Sequence, residues 1–213
     1  DTSFFLYMGT QDVHVPRIPH PRFAGKSGLG TRGDVILQLD WTVGEIMKTL
    51  DSLKIADNTI FVFCSDNGPV IDDGYQDQAA ELLNGHTPMK HYRGGKYSAY
   101  EAGTRTPFIV RWPGKVAAGT VNDHPCAFYD MMPTFCELAG VKNYVKKYTN
   151  KKKVVDYFDG ISIVPTLLGQ EGQQQHEFLY WEFNETDQIA VRMDDWKLVV
   201  KKGKPFLYNL ATD

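Results

Sequence analysis

The chain has 213 residues and a globular composition, with 42% hydrophobic and 23% charged residues. This composition excludes collagen-like, wholly disordered and coiled-coil proteins. The formal net charge of −3 argues against a nucleic-acid-binding protein, because such proteins carry a surplus of lysine and arginine. No apolar run approaches the ~20 residues of a membrane-spanning helix, and three widely spaced cysteines do not indicate a disulfide framework.

Predicted strands and helices alternate over the first 112 residues. The apolar run at residues 4–8 predicts a strand, and a long loop rich in glycine and proline follows it. Apolar residues at three- and four-residue steps then predict an amphipathic helix over residues 34–53. The apolar run 60–64 predicts a strand covered on both faces, and residues 107–112 are predicted to form another strand. This order is typical of an α/β fold.

The composition changes after residue 140. A short helix is predicted over residues 130–139, with Gly140 as its end. Six lysines and no acid lie between residues 142 and 153, which indicates an exposed loop. Short apolar bursts between residues 178 and 208 predict a small antiparallel sheet. We therefore predict an α/β domain over residues 1–140, and a basic loop with a C-terminal antiparallel subdomain over residues 141–213.

Asp66 and Asn67 follow the predicted strand 60–64, where open α/β sheets bind their ligands. A carboxylate beside an amide oxygen suits a hard cation such as Ca²⁺ or Mg²⁺. The same residues, followed by Gly68 and Pro69, are also ordinary turn chemistry. The sequence alone therefore leaves both a metal site and a simple turn open.

Two basic side chains are further candidates. His14 follows the first predicted strand and would either protonate a leaving group or contact an anion, or be an ordinary loop histidine. Lys96 follows Arg93 and two glycines, a turn whose free N–H groups could hold an oxyanion. The alternative interpretation of Lys96 is a solvent-exposed lysine in a hairpin.

A series of short segments in a fixed order is spread over essentially the whole chain. These segments are Phe4-Phe5-Leu6-Tyr7, His14-Val15-Pro16, Leu39-Asp40, Val43-Gly44, Asp57-Asn58-Thr59-Ile60, Ser65-Asp66-Asn67-Gly68, Arg93-Gly94-Gly95-Lys96, residues 100–107, Trp112-Pro113-Gly114, residues 130–134, Trp196-Lys197-Leu198 and Leu207-Tyr208-Asn209-Leu210. Together they resemble the sulfatase family of the alkaline phosphatase superfamily. The resemblance implies part of an alkaline-phosphatase-like mixed or parallel sheet with flanking helices, followed by a small C-terminal antiparallel sheet.

The resemblance implies a calcium-dependent hydrolase of sulfate esters, with Mg²⁺ as the other candidate cation. Asp66 and Asn67 would be metal ligands. His14 would contact the sulfate or protonate the leaving oxygen, and Lys96 would bind the sulfate and the bridging oxygen. Arg93 and His86 would bind the substrate, with His86 lining the sugar pocket.

The chain also departs from the family pattern. Sulfatases use a formylglycine nucleophile made from a Cys/Ser-x-Pro-x-Arg motif, and they supply further metal carboxylates from an N-terminal Asp pair. The sequence contains neither feature. We therefore expect the C-terminal part of a longer sulfatase, with residues 1–140 as part of its catalytic domain and the formylglycine in the missing N-terminal part. We expect the isolated chain to be inactive and to self-associate through apolar surface that the longer protein covers.

The expected substrate is a sulfated carbohydrate, such as a glycosaminoglycan, or an aryl sulfate. The resemblance further implies export to the periplasm, the cell surface or the lysosome. One alternative is a phosphate or phosphonate ester hydrolase of the same superfamily, although its usual counterpart has histidine where this chain has Asn67. Another alternative is a module that binds sulfated glycans through the lysine-rich stretch and the C-terminal sheet without cleaving them.

Overall fold

The computed structural model describes residues 2–142 and 159–213. The chain divides into two compact units, residues 1–56 with 65–106 and residues 57–64 with 107–213. Most of the lysine-rich stretch lies outside the described residues, and the predicted domain boundary after residue 140 stays a prediction. None of the helices in the described ranges is long and apolar enough to cross a membrane.

Helix α1, Gly30–Ser52, is the main element of the first unit and confirms the predicted amphipathic helix. It begins four residues earlier than predicted. The Ser27 hydroxyl accepts the N–H of Leu29 at 3.0 Å just before the helix, and the backbone turns at Gly30, whose φ is +64°. A side chain at this φ would be strained, and its Cβ would lie 2.8 Å from Leu82.

The rest of the first unit has little regular structure. Its other α-helix is the single turn α2, Glu101–Thr104. Residues 4–8 do not form the predicted strand, and Phe5 and Tyr7 are 73% and 86% exposed. An apolar run becomes a strand only when it pairs with a neighbour. No strand within the described ranges pairs with this run.

The second unit begins with an antiparallel strand pair. Strand β1, Phe61–Cys64, pairs with β2, Phe108–Arg111, and places Val62 opposite Val110. Both strands were predicted. The described part of the chain contains no parallel sheet, so the mixed or parallel sheet that the resemblance implies is not seen there. A parallel sheet needs a second strand running in the same direction, and the N-terminal run supplies none. The expected burial of β1 on both faces is also wrong, because Cys64 is exposed.

A buried carboxylate organises the centre of the second unit. Helix α3, Met131–Leu138, follows Asp130, which is fully buried. The Asp130 carboxylate accepts the N–H groups of Ala127 at 2.7 Å and Ile161 at 2.8 Å, and lies 2.8 Å from His176 Nε2. These contacts connect α3 to the segment before α4, Val164–Leu167.

The C-terminal antiparallel sheet is confirmed. It contains β3, Leu179–Phe183; β4, Gln188–Met193; β5, Trp196–Lys201; and β6, Lys204–Asn209, in sequential order. Ala190 lies opposite Val199, and both are buried. Strands β5 and β6 are joined by Lys202 and Gly203, whose φ values of +50° and +71° suit a two-residue hairpin. The fold is thus mixed α/β with two small antiparallel sheets.

Candidate active site

Asp66 and Asn67 lie in a tight turn directly after β1. Asp66 Oδ1 accepts the N–H of Asn67 at 2.9 Å, and Asn67 Nδ2 donates to the carbonyl of Gly68 at 2.8 Å. The Ser65 hydroxyl donates to the carbonyl of Asn67 at 3.0 Å. These local bonds leave Asp66 Oδ2 and Asn67 Oδ1 as the oxygens that a ligand would use. Asp66 is exposed and Asn67 is half-buried, so a ligand can reach them.

The turn packs directly against the segment that carries Lys96. The N–H of Gly68 donates to the carbonyl of Gly103, and the N–H of Lys96 donates to the carbonyl of Pro69, both at 2.9 Å. A Cβ at position 68 would lie 1.6 Å from the carbonyl oxygen of Ala102. Only glycine allows this approach, which brings Lys96 beside the Asp66–Asn67 turn.

His14 contacts Lys96 across a long stretch of sequence. His14 Nε2 lies 3.1 Å from Lys96 Nζ, and His14 Nδ1 lies 2.7 Å from the carbonyl of Val15. A carbonyl only accepts and a lysine ammonium only donates. Neutral His14 therefore carries its proton on Nδ1 and accepts from Lys96 through Nε2. The two predicted catalytic side chains form one hydrogen-bonded pair.

Sequence reasoning missed two residues around Lys96. Asp73 Oδ2 lies 3.9 Å from Lys96 Nζ, and Asp73 Oδ1 accepts the Tyr97 hydroxyl at 3.0 Å. The side chains of Asp73 and Lys96 are 10% and 16% exposed, so this ion pair is partly shielded from water. The signal in the sequence was the acidic and histidine-bearing segment 72–91, interpreted as a substrate-recognition loop. Its composition does not show which acid contacts which base.

The loop that carries His14 is attached to helix α1. The amide of Gln38 donates to both carboxylate oxygens of Asp12, at 3.3 and 3.2 Å, and accepts the N–H of His20 at 2.8 Å. Burial alone would raise the pKa of Asp34, but N–H groups of Ser27 and Gly25 donate to its carboxylate and hold that pKa below its ordinary value. Asp34 therefore stays ionised and anchors the end of the loop.

The other two predicted site residues, Arg93 and His86, also lie in the first unit. The Arg93 guanidinium lies 5.2 Å from the centre of the Tyr100 ring, in cation–π geometry. His86 is exposed, and its N–H donates to the carbonyl of Leu83 at 2.7 Å. Within the described ranges, no hydrogen bond or ion pair joins His86 to His14 or Lys96. The substrate-binding roles of Arg93 and His86 stay predictions.

The donor chemistry of the turn fits a hard cation only as part of a ligand set. Asp66 and Asn67 present oxygen atoms, which Ca²⁺ and Mg²⁺ prefer, but Ca²⁺ takes six to eight ligands. Within residues 2–142 and 159–213, no group of three or more His, Cys, Asp or Glu side chains could hold a metal ion. The two residues can supply at most part of a coordination shell.

Two family models match the chain. The model described as Sulfatase matches residues 1–141, and the model described as N-sulphoglucosamine sulphohydrolase, C-terminal, matches residues 91–212. Together they span nearly the whole sequence, and the two models overlap in the segment that carries Lys96.

Known proteins resemble the chain over most of its length. The N-acetylgalactosamine-6-O-sulfatase of Bacteroides thetaiotaomicron is 56% identical over 205 residues, which is 96% of this chain and 38% of that protein. The steryl-sulfatase of Homo sapiens is 33% identical over 180 residues, which is 84% of this chain and 29% of that protein.

One solved structure matches this chain with a TM-score of 0.81 and 51% sequence identity. It comes from work on the metabolism of multiple glycosaminoglycans by Bacteroides thetaiotaomicron. It covers 99% of this chain and 45% of the solved chain. The present chain therefore spans less than half the length of each of these relatives.

Proposed function

Because the chain belongs to the sulfatase family, we propose that the full-length protein containing it hydrolyses sulfate esters. The observation that carries this proposal is the contact between His14 Nε2 and Lys96 Nζ at 3.1 Å, together with the bond from the Lys96 N–H to the carbonyl of Pro69, two residues after Asn67. This arrangement places a proton-carrying ring, a fixed cation and two oxygen ligands in one unit of the fold.

The chemistry of these residues suits transfer of a sulfuryl group. The Lys96 ammonium binds a sulfate oxygen or the bridging oxygen, and so stabilises negative charge that develops as the ester bond breaks. His14 Nε2 lies within hydrogen-bond distance of Lys96 Nζ, so the ring lies beside the proposed reacting group. When His14 is protonated on both ring nitrogens, Nε2 can give its proton to the departing alkoxide, which would otherwise leave as a bare anion, and Lys96 remains an ammonium.

Asp66 and Asn67 would hold the calcium ion, with Mg²⁺ as the alternative, through Asp66 Oδ2 and Asn67 Oδ1. A bound cation would withdraw charge from the sulfate oxygens. We propose that the remaining metal ligands, the formylglycine nucleophile and the parallel part of the parent sheet come from a segment that this chain does not contain. In this proposal residues 1–140 are the C-terminal part of the catalytic domain.

The proposed substrate is a 6-O-sulfated N-acetylgalactosamine unit of a glycosaminoglycan. The support for this choice is the 56% identity to the N-acetylgalactosamine-6-O-sulfatase of Bacteroides thetaiotaomicron. By comparison, the steryl-sulfatase of Homo sapiens is only 33% identical to this chain. A glycan therefore has better support than a steroid or a simple aryl sulfate.

The test is sulfate release by the full-length gene product, expressed with formylglycine maturation, and by the 213-residue chain in parallel. We expect Ca²⁺-dependent release from N-acetylgalactosamine-6-sulfate by the full-length protein and none by the chain. Asp66→Ala, Asn67→Ala and Lys96→Ala should each abolish it. N-acetylgalactosamine-4-sulfate is the matched control substrate.

Two results would contradict this proposal. Metal-dependent turnover by the isolated chain would contradict the view that the nucleophile lies outside it. Hydrolysis of phosphate or phosphonate esters but of no sulfated sugar would contradict the sulfate ester as substrate.

A further inference from the structure

His14 lies on a segment without regular structure, so its position must be set from outside its own backbone. Residues 9–29 contain no helix or strand. Apart from a turn in which the N–H of His14 donates to the carbonyl of Gln11 at 2.8 Å, the surrounding segment has few backbone bonds. The imidazole nevertheless lies within hydrogen-bond distance of Lys96. Side chains of neighbouring residues must therefore hold this segment in place.

We infer that Arg17 and Asp77 are positioning residues that hold His14 against Lys96, an inference that rests on the proposed function. Arg17 Nε donates to the carbonyl of Val13, the residue before His14, at 3.2 Å. Arg17 Nη1 donates to Asp77 Oδ2 at 2.7 Å, and the Arg17 side chain is only 2% exposed. One rigid, planar guanidinium thus joins the backbone beside His14 to a carboxylate 60 residues away.

Asp77 is itself held at several points. Its Oδ1 accepts the N–H of Ala79 at 3.1 Å, and its backbone carbonyl accepts the Thr31 hydroxyl at 3.5 Å, in the first turn of α1. Burial and the nearby Arg17 lower the pKa of Arg32, while Asp77 opposes that shift. Asp77 therefore provides negative charge for two buried guanidinium groups, and it connects the His14 loop to α1.

The same short segment also reaches Lys96. Asp73, four residues before Asp77, lies 3.9 Å from Lys96 Nζ. Residues 73–77 thus contact Lys96 through one carboxylate and hold the His14 loop through another. Because both carboxylates lie on the same short segment, their spacing sets the distance between Lys96 and the loop that carries His14. This role explains why an irregular, acidic segment lies beside a site for an anionic group.

The first measurement is the protonation pattern of the His14 ring in the ¹⁵N-labelled full-length gene product, by long-range ¹H–¹⁵N spectra. In the unsubstituted protein, neutral His14 should carry its proton on Nδ1. Arg17→Lys keeps the charge, but its single nitrogen cannot replace the two separate guanidinium nitrogens that bind Val13 and Asp77. A mixture with the Nε2-protonated form is therefore expected. Arg22→Lys is the matched control, because Arg22 lies in the same loop and stacks over Trp41 instead. It should leave the His14 pattern unchanged.

The second measurement uses the full-length gene product. Arg17→Lys should lower kcat by about 10²-fold, the usual cost of a small misplacement of a reacting group, with KM changed by less than about threefold. Arg22→Lys should retain full activity. If the unsubstituted protein releases no sulfate from any ester, the proposed function fails, whereas the His14 ring pattern of the same protein still tests the positioning role.

A second substitution guards against loss of the fold. Arg17→Met leaves Asp77 with Arg32 as its counter-charge, so no carboxylate is left unbalanced. It should give the same mixed His14 pattern as Arg17→Lys, with an otherwise conserved amide spectrum. A His14 ring that stays protonated on Nδ1 in both variants would overturn the inference. Loss of the whole amide spectrum in both would also overturn it, because Arg17 would then support the fold as a whole.

Discussion

The side chains of His14 and Lys96 meet at 3.1 Å although 82 residues separate them in the sequence. Neither residue lies in a helix or a strand, and the contact depends on loops that are tied to α1 and to the turn after β1. The His14–Lys96 contact therefore depends on the correct folding of the first unit, and it is also the contact on which the proposed reaction rests.

Lys96→Met should lower kcat/KM of the full-length protein by about 10²–10³-fold, the usual cost of removing one donor that stabilises developing negative charge. The measurement is the initial rate of sulfate release. Lys48→Met is the control, since Lys48 is exposed and pairs with Glu45 on the surface of α1. A loss smaller than about tenfold would show that Lys96 does not stabilise the reacting group.

Gly68→Ala should destabilise the chain by about 1–3 kcal/mol or more, because the new Cβ would lie 1.6 Å from the Ala102 carbonyl oxygen. Thermal unfolding followed by circular dichroism measures the change. Gly44→Ala is the matched control: Gly44 lies within α1 with open space around it, so alanine should stabilise by about 0.5–1 kcal/mol. Equal stability of the two variants would contradict the close approach at Gly68.

Asp34→Asn should destabilise the chain at neutral pH by about 1–3 kcal/mol, because an amide cannot accept from both Gly25 and Ser27. The pKa of Asp34 is lowered in the folded state, so the unfolded state binds more protons on acidification. The stabilisation is present above the ordinary pKa of 3.8 and is lost as pH falls through the folded value. Between about pH 6 and 2.5, the free energy of unfolding should depend less on pH in the variant than in the unsubstituted chain.

His124 should make the second unit less stable at mildly acidic pH. Burial lowers the pKa of His124 below 6.5, His176 lowers it further, and Asp130 opposes the shift. The unfolded state then takes up a proton at a higher pH than the folded state, so stability falls as pH drops from about 6.5 towards the folded value. His124→Gln should remove this slope in urea unfolding curves at pH 7.5 and 5.5. If the variant shows the same loss of stability between pH 7.5 and 5.5, another titrating group causes that loss.

The exposed apolar run at residues 4–8 should make the isolated chain self-associate. Phe5 and Tyr7 are 73% and 86% exposed, and adjacent apolar side chains with this exposure favour association. Phe5→Ser with Tyr7→Ser should shift sedimentation towards the monomer at high protein concentration. Val121→Ser is the control, because Val121 is 89% exposed but lies outside that run. A monomeric unsubstituted chain at the same concentration would contradict this expectation.

Local patterns determined much of what the sequence could predict. The three- and four-residue spacing of apolar side chains predicted α1, and short apolar bursts between turns predicted β1, β2 and the C-terminal sheet. These features arise from the period of a helix or strand and from turn residues, which act over a few positions. The identities of His14, Lys96, Asp66 and Asn67 as candidates also came from the sequence, through their order and their resemblance to the sulfatase family.

Contacts between distant segments decided how the strands pair and which charged side chains lie together. Residues 4–8 have the composition of a strand, but no strand among residues 2–142 and 159–213 pairs with them. The direction in which β1 pairs depends on β2, 47 residues further on. Asp73 meets Lys96, and Asp77 meets Arg17, only because the chain folds those segments together. A residue type and its neighbours in sequence determine what a side chain can do, but the tertiary structure decides which charge lies beside it, because electrostatic and hydrogen-bond energies depend on distances of a few ångströms.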